Sequence, residues 1–519
     1  MVAYKKFLNL CYTAAKIIPD MQMDKTREDS KSSDAAKTEA RDLWILLGGL
    51  MILRLFLSMF LELTPDEAYY WELSRRLDWS YYDHPPMVAY LISFFTSILG
   101  NTSFAIRLPS VFGLLAASFL IYRICVEHLK SSRNGILAVI ALNFTPAGMA
   151  LGFITTPDTP LAFFWVLAMY SFLKAINDSR DRWWIMTGIA LGLGALSKYN
   201  MIFFVPGIAM TILAFPKYRG LVYTRRYWLM VILAALGTIP VVYWNMVHDW
   251  ISFKFQFHHG LKPSNRGIVK NIGDFLGGQL GTIGITLFPI LWLAVCKNAI
   301  NAWKRADETR FFLAWLAFPM MAFFVYTGTQ SKVEANWPQI AYISAMILAA
   351  EWIAISPTTA RKYWVLGPSV FMAAIVVLQS LTLILPISPK SDISTRLHGW
   401  REMGKKIRKL DEQLEYKAVF VGQGAPFACL VSYYGNIPPE RIAEIHGDKS
   451  FRFWWASQTL PLGSDIVYID NDKYSEASAY TGYFSESASF SLPISYAGKK
   501  IRNINFTTMK NLKHKFEFK

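Results

Sequence analysis

Long apolar runs separated by short polar segments fill the chain between residues 43 and 386. A helix needs about 20 mainly apolar residues to cross a bilayer, so these runs predict membrane-spanning helices. The predicted spans are residues 43–63, 106–125, 135–153, 159–176, 183–197, 200–215, 227–247, 275–296, 311–327, 338–355 and 364–386. The pattern therefore predicts a polytopic α-helical membrane protein with eleven spans, or twelve or thirteen if a shorter segment also crosses.

The apolar segment 87–100 is too short for a full span and begins behind Pro85-Pro86, which favours an interfacial helix. If this segment does not cross, the loops richest in Lys and Arg lie on the same side as the basic N-terminal segment. Basic loops face the cytoplasm in membrane proteins. The charge pattern therefore predicts a cytoplasmic N-terminus and an external C-terminus.

The two ends of the chain are more polar than its middle. Residues 1–42 predict a cytoplasmic extension, and residues 43–386 form the predicted membrane domain, with a first external loop at 64–104. Residues 387–519 contain a polar helical pattern at 399–414 and strand-like runs at 417–421 and 465–469. Alternation of this kind predicts a small external α/β domain.

Composition supports a membrane protein and argues against a nucleic-acid partner. The chain has 519 residues, of which 53% are hydrophobic and 17% are charged, whereas soluble domains carry about 25% charged residues. The net charge of +16 is explained by the basic cytoplasmic loops. The four cysteines are far apart in the sequence, so no disulfide framework or zinc site is expected.

The predicted topology places six polar features on the external side. They are Asp66–Glu67, Asp83–His84, residues 155–158, residues 198–200, His258–His259 and residues 332–337. Ionisable residues at the edge of a membrane are costly and usually mark a function or a charge pair. The external side is therefore the predicted location of the site.

Three carboxylates at this side are candidates for catalysis. Asp66 follows Pro65 beside the membrane and suits a general base, because low dielectric raises carboxylate basicity. Glu67 is its candidate partner or a metal ligand. Asp158, between two prolines, either supports the same site or caps the following helix.

Several cations accompany these acids. Lys198 ends an apolar run, where it either extends to the surface or binds a phosphate at headgroup depth. His84 either binds an anion when charged or acts as a neutral donor. His258, His259 and Arg266 make one external loop basic, against the usual charge rule, which favours an anionic ligand there.

A base and several cations at headgroup depth suit a lipid-linked anionic substrate. The sequence has no P-loop and no glycine-rich dinucleotide fingerprint, so the reaction energy has to come from the substrate itself. A polyprenyl-phosphate-linked sugar meets this requirement, because its phosphate is both membrane anchor and leaving group.

The first external loop, with residues 65–71 and 82–87, resembles that of the membrane-embedded C-type glycosyltransferases. The most similar branch is the bacterial one related to protein O-mannosyltransferases and to the lipid A aminoarabinose transferase. Residues 107–113, 156–158, 193–199 and 332–338 resemble the same family, so the similarity extends over roughly residues 43–360.

The resemblance implies inverting transfer of a sugar from a polyprenyl-phosphate donor to a lipid acceptor, lipid A or a related envelope glycolipid. It implies a bacterial inner-membrane enzyme whose active site and C-terminal domain are periplasmic. Asp66 matches the acid that activates the acceptor hydroxyl, Asp158 a second acid, and Lys198 a donor-phosphate ligand. The further candidate substrate-binding residues are Tyr82, Asp83, His84, Tyr199, His258, His259, Arg266, Lys332, Glu334 and Asn336.

The chain departs from the aminoarabinose-transferase branch at one position, because Asp83-His84 replaces an acid–lysine pair before the two prolines. No cofactor is required, since lysine can stabilise the departing phosphate; a divalent cation at Glu67, Asp83 and Asp158 is an alternative. Transfer to protein is the alternative within the enzyme class. A transporter of a lipid-linked glycan is the alternative from another class.

Overall fold

The structure is a computed structural model of the chain. It describes residues 28–514 except 179, 262–265, 355–358, 445, 447–448, 456–459 and 472–476. Residues 1–27, for which the cytoplasmic extension is predicted, lie outside this part. The first described helix, α1, begins at Glu28 and carries the first long apolar run.

Helices make up the described chain up to residue 382. They are α1 Glu28–Phe60, α2 Pro65–Ser74, α3 Met87–Leu99, α4 Ser103–His128, α5 Ser132–Asn143, α6 Pro146–Leu151, α7 Asp158–Asn177, α8 Asp181–Ala195, α9 Phe204–Ala214, α10 Pro216–Arg219, α11 Arg225–Val247, α12 Ile251–Leu261, α13 Ile268–Ile283, α14 Leu287–Lys304, α15 Glu308–Gln330, α16 Gln339–Ala354 and α17 Thr359–Thr382. Short 3-10 turns at Tyr199–Phe203 and Gly220–Tyr223 join some of them.

The protein is a multi-pass membrane protein, but its apolar runs are not eleven uninterrupted spans. Among the described helices, six are long and apolar enough to cross, or up to eight if each of two sharply bent helix pairs counts as one span. The predicted span 135–153 is broken between α5 and α6, where Thr145 caps a new helix that starts at Pro146. The predicted span 275–296 bends by 99° between α13 and α14, with Gly284 at a positive φ of 114°.

The segment after Pro85-Pro86 forms the short helix α3, as predicted. Its 13 residues extend about 20 Å, which is less than the roughly 30 Å thickness of the hydrocarbon core. Met87, Val88, Ala89 and Ile92 face the protein, whereas Phe94, Ile98 and Leu99 are exposed. One buried and one exposed apolar side suit a helix that lies at the membrane interface.

The C-terminal part is the predicted α/β domain. A 3-10 turn at Ile393–Leu397 leads into α18 Trp400–Gln413, β1 Val419–Gly422, α19 Ala425–Gly435, β2 Ile442–Glu444, α20 Phe451–Trp455, β3 Ile466–Asn471, β4 Phe484–Tyr496 and β5 Lys499–Leu512. The strand order is β2-β1-β3-β5-β4. The first three strands are parallel, and β5 pairs antiparallel with both β3 and β4.

The C-terminal domain shares a hydrophobic core with the first external loop. Tyr69, Trp71 and Leu73 of α2 are buried in one cluster with residues of the sheet and of α19. Polar contacts fix the same interface: Tyr434 accepts a hydrogen bond from the amide of Leu63 at 2.6 Å. Helix α2 is therefore enclosed on one side by the membrane domain and on the other by the C-terminal domain.

Candidate active site

The acidic stretch at the start of α2 is a helix N-terminus with a complete capping box. The Thr64 side chain accepts from the amide of Glu67, and the Glu67 carboxylate accepts from the amide of Thr64. Pro65 occupies the first helical turn, where its missing N–H costs nothing. This geometry directs Glu67 back into the protein and leaves the neighbouring Asp66 exposed.

The Glu67 carboxylate is fully buried and fully paired. Arg107 of α4 donates to both of its oxygens, each at 2.7 Å, and neither side chain has any exposed surface. Arg107 also donates to the carbonyls of Leu61 and Glu62 at the end of α1, while the amide of Thr155 donates to Glu67. The pair joins α1, α2, α4 and the segment before α7, so the geometry favours a structural role for Glu67.

Asp158, Lys198 and Asn336 meet in a second cluster. Lys198 Nζ donates to Asp158 Oδ1 at 2.7 Å, and the Asn336 side-chain amide donates to Asp158 Oδ2 at 2.9 Å. Pro157, which precedes α7, holds the cap position, so Asp158 itself faces the lysine rather than capping. Lys198 is 8% exposed, so it binds inside the protein and does not extend to the surface.

Asp66 lies on the same side of the molecule as this pair. Tyr70, one helical turn after Asp66, has a pKa well above its ordinary value because it is buried and because the negative charges of Asp66, Asp83 and Asp158 surround it. Within the described part of the chain, no hydrogen bond or ion pair engages the Asp66 carboxylate. An exposed, unpaired carboxylate in a cluster of charged groups can accept a proton from a bound hydroxyl.

Asp83 is held by a residue pair from the C-terminal domain that the sequence did not predict. The Tyr69 hydroxyl donates to Asp83 at 2.9 Å and lies 3.0 Å from the Ser450 hydroxyl. Lys449 approaches Asp83 at 3.4 Å and lies over the Tyr69 ring. Burial acts to raise the pKa of Asp83, but the charge of Lys449 and the Tyr69 hydrogen bond outweigh it and lower the pKa.

His84 is influenced by both charged pairs, Asp83–Lys449 and Asp158–Lys198, and is uncharged at neutral pH. Burial lowers its pKa to about 4; Asp83 opposes this shift, whereas the charges of Lys198 and Lys449 add to it. Its Nδ1 is buried and has no hydrogen-bond partner among the described residues. Of the two predicted roles, the structure therefore favours the neutral one.

Two further predicted residues, Tyr82 and Tyr199, both contact α12. Tyr82 packs against Phe255 of α12 with ring centroids 4.8 Å apart, and the Arg452 guanidinium lies over its ring. The Tyr199 hydroxyl lies 2.7 Å from that of Ser252. These aromatic residues connect the loop around Asp83 with the segment that carries Lys198.

The remaining candidates form local contacts on the surface. His258 is exposed, and its Nδ1 lies 2.9 Å from the Lys254 carbonyl of its own helix. Arg266 pairs with Asp274 at 2.6 Å, and Lys332 pairs with Glu334 at 2.8 Å. Among the contacts of the described residues, none joins these side chains to Asp66, Asp83 or Asp158, and the side chain of His259 lies outside the described residues.

Three of the four acids, Glu67, Asp83 and Asp158, are each paired with a cation. Across the described ranges, no group of three or more His, Cys, Asp and Glu side chains is arranged to hold a metal ion. Glu67 pairs with Arg107, Asp158 with Lys198, and Asp83 with Lys449. A divalent cation at Glu67, Asp83 and Asp158 would have to displace these partners.

The known proteins that this chain resembles are named as enzymes that transfer sugars. Residues 83–244 match the family model for dolichyl-phosphate-mannose-protein mannosyltransferases. The chain is 29% identical over 293 residues to the lipid A galacturonosyltransferase of Rhizobium johnstonii, which covers 56% of this chain and 60% of that protein. It is 25% identical over 286 residues to the undecaprenyl phosphate-alpha-4-amino-4-deoxy-L-arabinose arabinosyl transferase 1 of Sodalis glossinidius, covering 51% of this chain and 50% of that one. The chain thus matches between half and three fifths of the length of these relatives.

The fold is that of a protein of known crystal structure. The crystal structure of ArnT from Cupriavidus metallidurans in the apo state superposes with a TM-score of 0.61 at 16% identity, covering 90% of this chain and 98% of that one. The form of that protein bound to undecaprenyl phosphate gives a TM-score of 0.62, also at 16% identity, and covers 89% and 97%. The predicted fold class, that of the C-type membrane glycosyltransferases, is thereby confirmed.

Proposed function

We propose that this protein is an inverting glycosyltransferase that moves a sugar from a polyprenyl-phosphate donor to a lipid acceptor, lipid A or a related envelope glycolipid. The observation that carries the proposal is the exposed Asp66 carboxylate, which has no partner among the described residues and lies on the same side of the molecule as the buried Asp158–Lys198 pair. The relatives support the substrate class, because their names describe a lipid A transferase and a transferase that uses an undecaprenyl-phosphate sugar.

The reaction is a single displacement. Asp66 accepts the proton of the acceptor hydroxyl as its oxygen attacks the anomeric carbon of the donor. The bond between that carbon and the phosphate oxygen breaks, and polyprenyl phosphate leaves with the electron pair. Attack from the face opposite the phosphate inverts the anomeric centre, with no covalent sugar–enzyme intermediate.

Lys198 stabilises the phosphate that leaves. An ammonium group has three N–H donors, and the Asp158 carboxylate receives one of them at 2.7 Å. Asn336 holds the other oxygen of Asp158, so the lysine is fixed in position while two donors remain for phosphate oxygens. Charge placed in advance where negative charge develops is an effective form of catalysis.

The proposed orientation follows from the rule that loops rich in Lys and Arg face the cytoplasm. The N-terminus lies in the cytoplasm, and Asp66, Asp158 and the C-terminal domain lie on the periplasmic side of a bacterial inner membrane. A lipid-linked donor then reaches the site from the outer leaflet of that membrane. We infer that His84, which is neutral and whose buried Nδ1 has no partner among the described residues, hydrogen-bonds the donor rather than attracting it by charge.

Mass spectrometry of lipid A and of envelope glycoproteins tests the proposal. Cells lacking the gene are complemented with the wild type, with Asp66→Asn, or with Asp181→Asn, an exposed acid that pairs with Arg226. We expect the sugar to be absent from lipid A without the gene, to return with wild type and Asp181→Asn, and to fall at least about 100-fold with Asp66→Asn.

Other outcomes would overturn parts of the proposal. Full transfer by a normally expressed Asp66→Asn variant would remove Asp66 from catalysis. A sugar missing from glycoproteins but present on lipid A would indicate protein as the acceptor, the activity named in the matching family model. No change in either class of molecule would favour a transporter.

A further inference from the structure

A cavity lies at the end of the membrane domain remote from Asp158. It has a volume of 560 Å³ and is bordered by one side of α14, the start of α15 and the end of α16. Helix α15 starts beside this cavity at Glu308 and runs 23 residues to Gln330, about 35 Å, before the chain reaches Asn336. The cavity is therefore separate from the proposed catalytic site.

The side of α14 that borders the cavity changes from apolar to polar along its length. Ile290 and Leu293 lie at one end, and Lys297, Asn301 and Arg305 follow at intervals of four residues. Residues three and four apart share one face of a helix. The cavity thus has an apolar end inside the membrane domain and a polar end at its edge, where Trp303 is exposed.

The polar end is lined by three cations, Lys297, Arg305 and Arg310, and by two carboxylates, Asp307 and Glu351, which leaves one positive charge in excess. Arg310 is already paired, because it donates to Glu351 at 2.5 and 2.7 Å and also contacts Asp307. Lys297 and Arg305 are exposed and have no carboxylate partner in the described part of the chain. Two cations beside a polar amide, Asn301, complement a phosphate group.

We propose that this cavity binds an anionic glycerophospholipid of the cytoplasmic leaflet. Its phosphate lies beside Asn301, between Lys297 and Arg305, which are about 12 Å apart along the helix. An acyl chain lies along Ile290 and Leu293. Basic pockets between helices on the cytoplasmic side are suited to such headgroups, and a free anion would gain nothing from the apolar end.

Lipid binding to the delipidated full-length protein tests this site. We expect native mass spectrometry to show phosphatidylglycerol bound in preference to phosphatidylcholine. In Lys297→Gln/Arg305→Gln, the affinity for phosphatidylglycerol should fall more than tenfold, at about fivefold for each lost cation. Lys304→Gln is the matched control, because Lys304 is exposed on the same helix but does not border the cavity.

Equal binding of both lipids by the wild type, or unchanged phosphatidylglycerol binding by the double variant, would overturn the proposal. A photo-cross-linking residue at Asn301 identifies the occupant directly in native membranes. A lipid adduct supports the proposal, whereas a cross-link to residues 1–27 of the same chain would overturn it. Asp66→Asn should retain the lipid, so this proposal and the proposed transfer reaction succeed or fail separately.

Discussion

Two buried acid–cation pairs lie at the same side of the molecule and differ in how completely they are satisfied. Glu67 and Arg107 have no exposed side-chain surface, and partners from several segments occupy both groups. Asp158 and Lys198 retain 6% and 10% exposure of their side chains, and two of the three lysine donors are available to a ligand. A saturated pair can only hold structure together, whereas an unsaturated pair can also bind a substrate.

Glu67→Gln gives the largest expected effect on stability. The substitution leaves Arg107 buried without a counter-charge, which typically costs about 3–5 kcal/mol. Thermal unfolding in detergent should therefore show a large loss of stability, together with poor yield. If the variant were as stable as the wild type but inactive, Glu67 would belong to the catalytic site, and the contrast between the two pairs would be wrong.

Lys198→Gln should change activity more than folding. The amide can still bond to Asp158 but cannot stabilise a departing dianion, so we expect transfer to fall about 10²–10³-fold. Single-turnover transfer from a labelled polyprenyl-phosphate sugar measures this rate. Lys174→Gln is the control, because that lysine pairs with Glu127 near the other end of α7.

If Lys198→Gln unfolded as readily as Glu67→Gln, with no loss of rate in the folded fraction, the two pairs would have the same structural role.

His84 gives a smaller effect that depends on pH. Its pKa is about 4 in the folded protein and about 6.5 when unfolded, so the unfolded state binds more protons between these values. Stability is then complete above pH 6.5 and falls as the pH decreases toward 4. His84→Gln should reduce this slope in thermal unfolding, whereas His258→Gln, at an exposed position, should not.

An unchanged slope in His84→Gln would mean that the imidazole is not held neutral between Asp83 and Lys198.

The sequence predicts the structure well where a local pattern of residues determines it. The short α3 follows from its length and the preceding prolines. Asp158, Lys198 and Asn336 were each proposed from motifs, and the structure brings them into contact. The two structural roles of Glu67, as a helix cap and as the counter-charge of Arg107, are not among the predictions made from the sequence. The Thr64-Pro65-Asp66-Glu67 spacing is a capping-box pattern, however, and indicates the first of these roles.

Contacts between distant segments could not be predicted from periodicity. Lys449 and Ser450 reach Asp83 and Tyr69 across more than 360 residues, and no local pattern marks them. The final hairpin is marked by a period of two, because Phe490, Leu492 and Ile494 along β4 alternate with Ser491, Pro493 and Ser495. Its turn is Ala497–Gly498, both with positive φ, rather than the more easily recognised Asn-Gly.

The burial of α2 beneath the C-terminal domain has a consequence for biosynthesis. Leu63 bonds to Tyr434, a residue 371 positions later in the chain, so the ribosome completes every helix up to residue 382 before this partner exists. The apolar side of α2, with Tyr69, Trp71 and Leu73, stays uncovered throughout that interval. The loop that carries Asp66 is translated among the first segments of the chain, yet it reaches its final environment only after the C-terminal domain has folded.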